Sequence, residues 1–260
     1  ELYDFVTAEL RRQNVNQAAI AAIASVDLKA DEPAILALAA RLDVPFRVFS
    51  ATELEKQTAN LANPSDVVFA EIGAHGVAEA AALEAAILGK RGAEASLFIE
   101  KQKTKDATLA LVKMAGPLVD QRLLRGRKPG KVMLIGIGPG KSDWRTPEAA
   151  KWIQSADELV GYGLYIDLLG AAAAHLPRKD FALGEEESRC RYALETAATG
   201  RNVAIICSGD AGIYAMGALV YELLDRDEND GGVSASARRV AVVTTPGISA
   251  MQAAAARSGA

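Results

Sequence analysis

Aromatic side chains make up only 5% of the 260 residues, and the chain holds just two cysteines and two histidines. Each scarcity argues against something. Cys190 and Cys207 stand in different segments and outside any CxxC pair, which speaks against a disulfide-built secreted scaffold and for a reduced, cytoplasmic protein. Two distant histidines and two scattered cysteines do not form a metal site, and no Ser–His–acid or Cys–His set can be assembled. No apolar run approaches the ~18 residues of a membrane span. The opening ELYDFVTAELRRQN lacks the basic-then-apolar order of a signal peptide. Excess positive charge is missing too: Lys+Arg 29 against Asp+Glu 33 gives a net charge of −4. That balance carries no electrostatic footprint for nucleic acid.

What is present is enough apolar surface to build a core. Half of the chain is hydrophobic and 24% is charged, which excludes wholesale disorder or a fibre. Apolar periodicity predicts a helix over residues 1–25, a buried strand over 21–27 and a helix through DEPAILALAARLD with Pro33 in its first turn. FRVFS (46–50) reads as a strand. Ser50 and Glu53 have capping-box spacing before the next helix. A loop around Asn63-Pro64 follows, then a helix over 77–88 and two strands, ASLFIEKQKT and ATLALVKM. Residues 116–130 carry prolines, glycines and cations with weak periodicity and read as a linker, the alternative being a surface loop.

From Lys131 the pattern restarts. KVMLIGI is a strand feeding Gly136, Gly138, Pro139 and Gly140. Thr146 caps a helix with Pro147 at its first position. DELVGY is a second strand and LYIDLLGAAAA a short helix. A helix over 185–198 stops at Gly200. NVAIICSGD is a third strand, AGIYAMGALVYELLD the helix after it, and RRVAVVTTPGISA a fourth strand turning into a final helix. The expected architecture is therefore α/β in two domains, each a mostly parallel sheet flanked by helices: 1–115, a linker over 116–130, and 131–260.

Ligands sit beyond the carboxyl ends of strands in such sheets. Three of those ends are unusual: Gly136–Gly140, Ser208–Gly212 and Thr245–Ala250. Glycines there allow close backbone approach, and the helix after each loop aims N–H groups at the site. The first loop fits neither the dinucleotide fingerprint nor the P-loop, which needs a glycine where Ile135 stands. A P-loop-like nucleotide binder, motivated by Gly140, Lys141 and Ser142, stays as a minor alternative. Asp210 could simply cap the following helix. Tyr162 and Tyr165 flank a strand end, where rings line pockets or pack. His75, in GAHG, is a turn residue by default.

KVMLIGIGPGKSDWRTPEAAKWIQSADELVGYGLYIDLL, ESRCRYALETAATGRNVAIICSGDAGIYAMG and VVTTPGISAMQAAAARSGA together resemble the tetrapyrrole methylases, and among them the precorrin-3B C(17)-methyltransferases. That resemblance covers 131–260. IASVDLKADEP, FRVFSATEL, VAEAAALEAA and LFIEKQKTKDATLALVKM resemble the carboxy-terminal domain of the CbiG/CobE family over about 1–115, without the strand that opens that domain in the family.

The resemblance implies cobalamin biosynthesis: methyl transfer from S-adenosylmethionine to carbon 17 of a precorrin, with ring contraction giving precorrin-4. It implies cofactor contacts from Gly138, Pro139 and Gly140, from Ser208, Gly209, Asp210 and Ile213, and from Ser249 and Ala250. Tyr162 and Tyr165 would border the tetrapyrrole. It names no general base and no metal ligand. Ala211 stands where family members often have proline. The partners implied are a tetrapyrrole, no nucleic acid and no membrane, with a homodimer left open. The family's second lobe would follow Ala260, so the expectation is weak cofactor binding and poor turnover by these residues alone. A non-catalytic tetrapyrrole-handling module is the competing reading, applied most directly to the first domain.

Overall fold

The computed structural model describes residues 1–87, 95–114, 116, 118 and 120–259. Leu88 of the predicted helix 77–88, Pro117 and Val119 of the predicted linker, and Ala260 lie outside them. The chain divides into two compact units, Glu1–Lys128 and Pro129–Ala260.

In the first unit α1 (Leu2–Arg12) ends well short of the predicted residue 25. Asn14 takes a left-handed backbone, φ +54°, which asparagine tolerates and which stops helical hydrogen bonding. Next come β1 (Ile23–Val26), α2 (Pro33–Leu42), β2 (Phe46–Phe49) and α3 (Ala51–Glu55). The Ser50/Glu53 capping box forms as predicted. α4 (Asp66–Ile72) replaces part of the expected loop, capped by Ser65 and closed by Gly73 at φ +80°. α5 (Ala78–Ala86), β3 (Ala95–Lys103) and β4 (Thr108–Met114) complete the unit.

β1 and β2 pair in parallel, whereas β3 and β4 pair antiparallel. The second pair departs from the mostly parallel sheet expected here. Its connection is the reason: only Thr104–Ala107 joins the strands, closed by Thr104 N–H to Ala107 O at 2.8 Å. A parallel return needs a crossover of a dozen or more residues. Alanines let α5 lie close on this framework: Ala80 and Ala81 are fully buried beside Val26, Phe49 and Leu54.

In the second unit β5 (Lys131–Gly136), α6 (Pro147–Gln154), β6 (Glu158–Tyr162), α7 (Gly163–Asp167), β7 (Arg178–Phe181), α8 (Glu186–Ala198), β8 (Asn202–Cys207), α9 (Met216–Asp225), β9 (Ala241–Thr245) and α10 (Ala250–Ser258) follow in order. The five strands form one parallel sheet, β7-β6-β8-β5-β9. β5 is buried on both faces, as a continuous apolar run in a parallel sheet should be. Val132 and Leu134 pack toward α8 and α9 with Cys190, Leu194, Val220 and Leu223. Met133 and Ile135 pack on the opposite face with Ala149, Ile153 and Ile166. Each fully buried Leu or Ile contributes about 1.5–3 kcal/mol.

Three local expectations shift. β7 was not foreseen; its first three residues are exposed and polar, so it shows no apolar run. The predicted helix over 164–174 is α7 followed by a separate turn, broken at Gly170 with φ +59°. α9 starts at Met216 rather than Ala211, because Tyr214 sits at φ +49°. No helix among the described residues is long and apolar enough to cross a membrane.

Candidate functional site

β5 lies between β8 and β9, so the segments leaving these three strands, residues 137–146, 208–215 and 246–249, emerge side by side. They meet backbone to backbone. The Gly138 N–H donates to Gly209 O at 3.1 Å, and the Gly209 N–H donates back to Gly138 O at 2.9 Å. Both glycines are left-handed, φ +72° and +66°. The Gly209 carbonyl is also where the other two segments close in: a Cβ on Gly136 would lie 2.6 Å from it, and one on Gly247 only 2.0 Å. No side chain fits at either position.

Asp210 links two of these segments. Its Oδ1 accepts the Gly212 N–H at 2.8 Å and its Oδ2 accepts the Gly247 N–H at 3.0 Å. It does not cap the following helix, whose N-cap is Ala215 without a side-chain bond. Ser249 is buried and caps α10 in a reciprocal box with Gln252. A Cβ on Gly209 would stand 3.6 Å from the Ser249 Cα and 3.9 Å from the Ala250 nitrogen. Gly138, Gly209, Asp210, Ser249 and Ala250 are thus brought together.

Around this knot Pro139, Ser208 and Ile213 are exposed. So is Tyr214, fully, on a left-handed backbone that costs a bulky residue about 1–3 kcal/mol. Sequence periodicity read it as helical and missed it. Gly140, at φ +115°, faces the end of α7: a Cβ there would be 3.5 Å from the Leu168 Cδ1. Arg145 Nη2 donates to Leu168 O at 3.3 Å, holding that border. Tyr162 and Tyr165 pack edge to face, centroids 5.3 Å apart and both half-buried. A second connection went unforeseen: the buried Thr245 hydroxyl donates to Glu148 Oε2 at 2.7 Å, tying β9 to α6.

The arrangement does not suit a triphosphate cradle. α6 begins only at Pro147, after an intervening turn at Ser142–Trp144, so the amides after Lys141 do not form its N-terminus. Cys190 and Cys207 are free and buried. Burial pushes their thiols up, to about 12 and about 11, which makes them poor nucleophiles. Among the described residues no group of three or more His, Cys, Asp or Glu side chains is placed to hold a metal ion.

In the first unit, the His75 Nδ1 lies 2.9 Å from Glu55 Oε1, and the His75 N–H donates to Glu55 Oε2 at 3.0 Å. The ring stacks on Phe69 at 4.4 Å. Burial opposes the Glu55 charge, but the His75 and Thr58 bonds outweigh it and hold the carboxyl below its ordinary range. The pair anchors the turn before α5. A cleft of about 1290 Å³ also opens along β1, β4 and α5. Its lining is mostly alanine and aliphatic side chains, with Lys29, Glu32, Lys105 and Asp106 among the charged ones.

Residues 1–112 match the family described as cobalamin synthesis G C-terminus. Residues 131–260 match the tetrapyrrole (corrin/porphyrin) methylases. A probable cobalt-factor III C(17)-methyltransferase of Salmonella typhimurium is 40% identical over 127 residues, 49% of this chain and 49% of that protein. A precorrin-3B C(17)-methyltransferase of Sinorhizobium sp is 37% identical over 131 residues, 50% of this chain and 49% of that one. Protein CobE of Sinorhizobium sp is 48% identical over 95 residues, 36% of this chain and 56% of that protein. The chain spans about half the length of each of these three relatives.

Proposed function

The chain belongs to the tetrapyrrole methylases, and from that premise we propose that it serves cobalamin biosynthesis by methylating carbon 17 of precorrin-3B, with ring contraction to precorrin-4. The methyl donor is S-adenosylmethionine, which supplies an electrophilic methyl group on a sulfonium. The observation that carries this reading is the knot at Gly138, Gly209 and Gly247, three strand-end segments packed backbone against backbone and tied by the Asp210 carboxylate. Such a crevice offers a nucleoside and its amino-acid tail backbone amides and carbonyls, the exposed Ser208 hydroxyl, and the apolar faces of Pro139, Ile213 and Ala250. The donor set fits that group. Gly140 would leave room for it, and Asp210 and Ser249 would hold the surrounding backbone.

Tyr162 and Tyr165 would border the macrocycle beside α7. What these residues must do is hold two reactants in attack geometry and exclude water, work that needs no acid–base pair. We assign residues 1–115 to handling of the tetrapyrrole, residues 116–130 to a linker and 131–260 to the methyl-transfer lobe. The family match of 1–112 and the CobE likeness support the first assignment.

Incubation with methyl-labelled S-adenosylmethionine and precorrin-3B should move label to the macrocycle. Cobalt-factor III serves as a parallel substrate, because the Salmonella relative's name points to it. Absence of transfer to both by a version extended through the family's second lobe overturns the reading. Removing residues 1–115 should leave methyl transfer intact but lower flux through the pathway; undiminished flux refutes the tetrapyrrole-handling role of the first domain.

A further inference from the structure

We infer that Asp210 is a positioning residue, whose carboxylate straps the segment after β9 to the segment after β8 and so sets the shape of the crevice. The inference rests on the methyl-donor reading and deepens it, because it separates what shapes the site from what touches the ligand. Each carboxylate oxygen already accepts a backbone N–H: Oδ1 that of Gly212 at 2.8 Å, Oδ2 that of Gly247 at 3.0 Å. The first bond spans two residues and folds the loop on itself; the second reaches across 37 positions.

The second bond is placed where it matters. The amide it holds belongs to the residue that packs against the Gly209 carbonyl, where even a methyl group would come within 2.0 Å. That same carbonyl accepts the Gly138 N–H. Holding Gly247 down therefore holds all three segments in register. Ser249 and Thr146 cap α10 and α6, while Thr245 and Arg145 reach Glu148 and the Leu168 carbonyl rather than Gly247. Ser208 and Ile213, on the same segment as Asp210 and exposed, are left to face the ligand.

The test uses the 260-residue chain, S-adenosylhomocysteine as probe, and the variants Asp210→Ala and Asp210→Asn. Calorimetry reads the probe's affinity. Amide hydrogen exchange reads Gly212 and Gly247, with the β5 amides as a control for folding. Asp210→Ala should weaken binding by about tenfold or more, on the scale of one lost charge-assisted hydrogen bond. Exchange at Gly247 should accelerate by a similar factor while β5 stays protected. Asp210→Asn keeps one acceptor and presents an N–H₂ to the other amide, so it should fall between, and it carries the test if the alanine variant does not fold. Loss of affinity with Gly247 still protected overturns the strap in favour of direct contact with the ligand. Faster exchange with unchanged affinity overturns it as well. A wild-type chain that binds no S-adenosylhomocysteine overturns the methyl-donor reading, a different outcome from a wild type and an alanine variant that bind equally.

Discussion

Replacing Gly247 by alanine puts one methyl group where the structure leaves no space. Its Cβ would stand 2.0 Å from Gly209 O, 2.8 Å from Gly136 C and 2.9 Å from Gly136 O, all backbone atoms. No rotamer change relieves that. Ordinary contact begins near 3.4 Å, so the segments after β8 and β9 must part by more than an ångström. Overpacking of this kind costs about 1–3 kcal/mol. Parting the segments also removes the Gly247 N–H from Asp210, a bond to a charged group contributing about 1.5–3 kcal/mol. Together the loss is about 2.5–6 kcal/mol, a fall in Tm of roughly 8–25 °C for a unit of this size. Both tryptophans, Trp144 and Trp152, lie in the second unit, so their fluorescence during heating reports its unfolding. Gly184→Ala is the control: its φ is +88° but nothing lies within 4 Å of the added carbon, so only backbone strain of about 1–2 kcal/mol applies. A Gly247→Ala variant melting within about 3 °C of wild type, or no lower than the control, would refute the backbone-to-backbone packing.

Alkaline stability depends on the two buried thiols. Burial raises Cys190 to about 12 and Cys207 to about 11, whereas an unfolded thiol ionises near ~8.5. The folded state keeps protons that the unfolded chain releases, so this contribution is intact below pH ~8.5 and declines as pH rises toward 11 and 12. The slope is about 1.4 kcal/mol per pH unit per thiol. Urea titrations at pH 8 and 10 should show the decline, and an equal decline in the Cys190→Ala, Cys207→Ala double variant refutes the assignment. Glu79 contributes on the acid side in the first unit. Burial opposes its charge, but the N–H groups of Lys101, Asn63 and Ala62 and the Asn63 side chain outweigh it and hold its carboxyl below the ordinary range. Its contribution is therefore present at neutral pH and lost as pH falls through that lowered range. Glu79→Gln should cost about 2–3 kcal/mol at pH 7; an unchanged urea midpoint by circular dichroism counts against this.

Much of the fold was legible because burial and periodicity coincide. β5 and β8 are unbroken apolar runs, and Ser50, Thr146 and Pro147 mark helix starts through local chemistry that needs no tertiary context. α4 and β7 were illegible for the converse reason. α4 is mostly apolar, with Val67 and Phe69 exposed and no residue buried, so its sequence marks no single face, and the first three residues of β7 are polar and face solvent. Residues 211–215 have helical composition, yet the knot at Gly209 and Asp210 delays α9 to Met216. Loop glycines and the family resemblance located the candidate site. They could not show what Asp210 does, because the bond to Gly247 is made across 37 residues and leaves no trace in local spacing.

The two borders of the five-stranded sheet are unlike. β7, Arg-Lys-Asp-Phe, ends one side in charge, a sequence that repels an approaching strand. β9, Ala-Val-Val-Thr-Thr, ends the other with neither charge nor proline, and among the described residues it pairs only with β5. Behaviour in concentrated solution should follow from that asymmetry: self-association would begin along β9, and a lysine at an outward position of that strand is the natural remedy for a preparation that clouds.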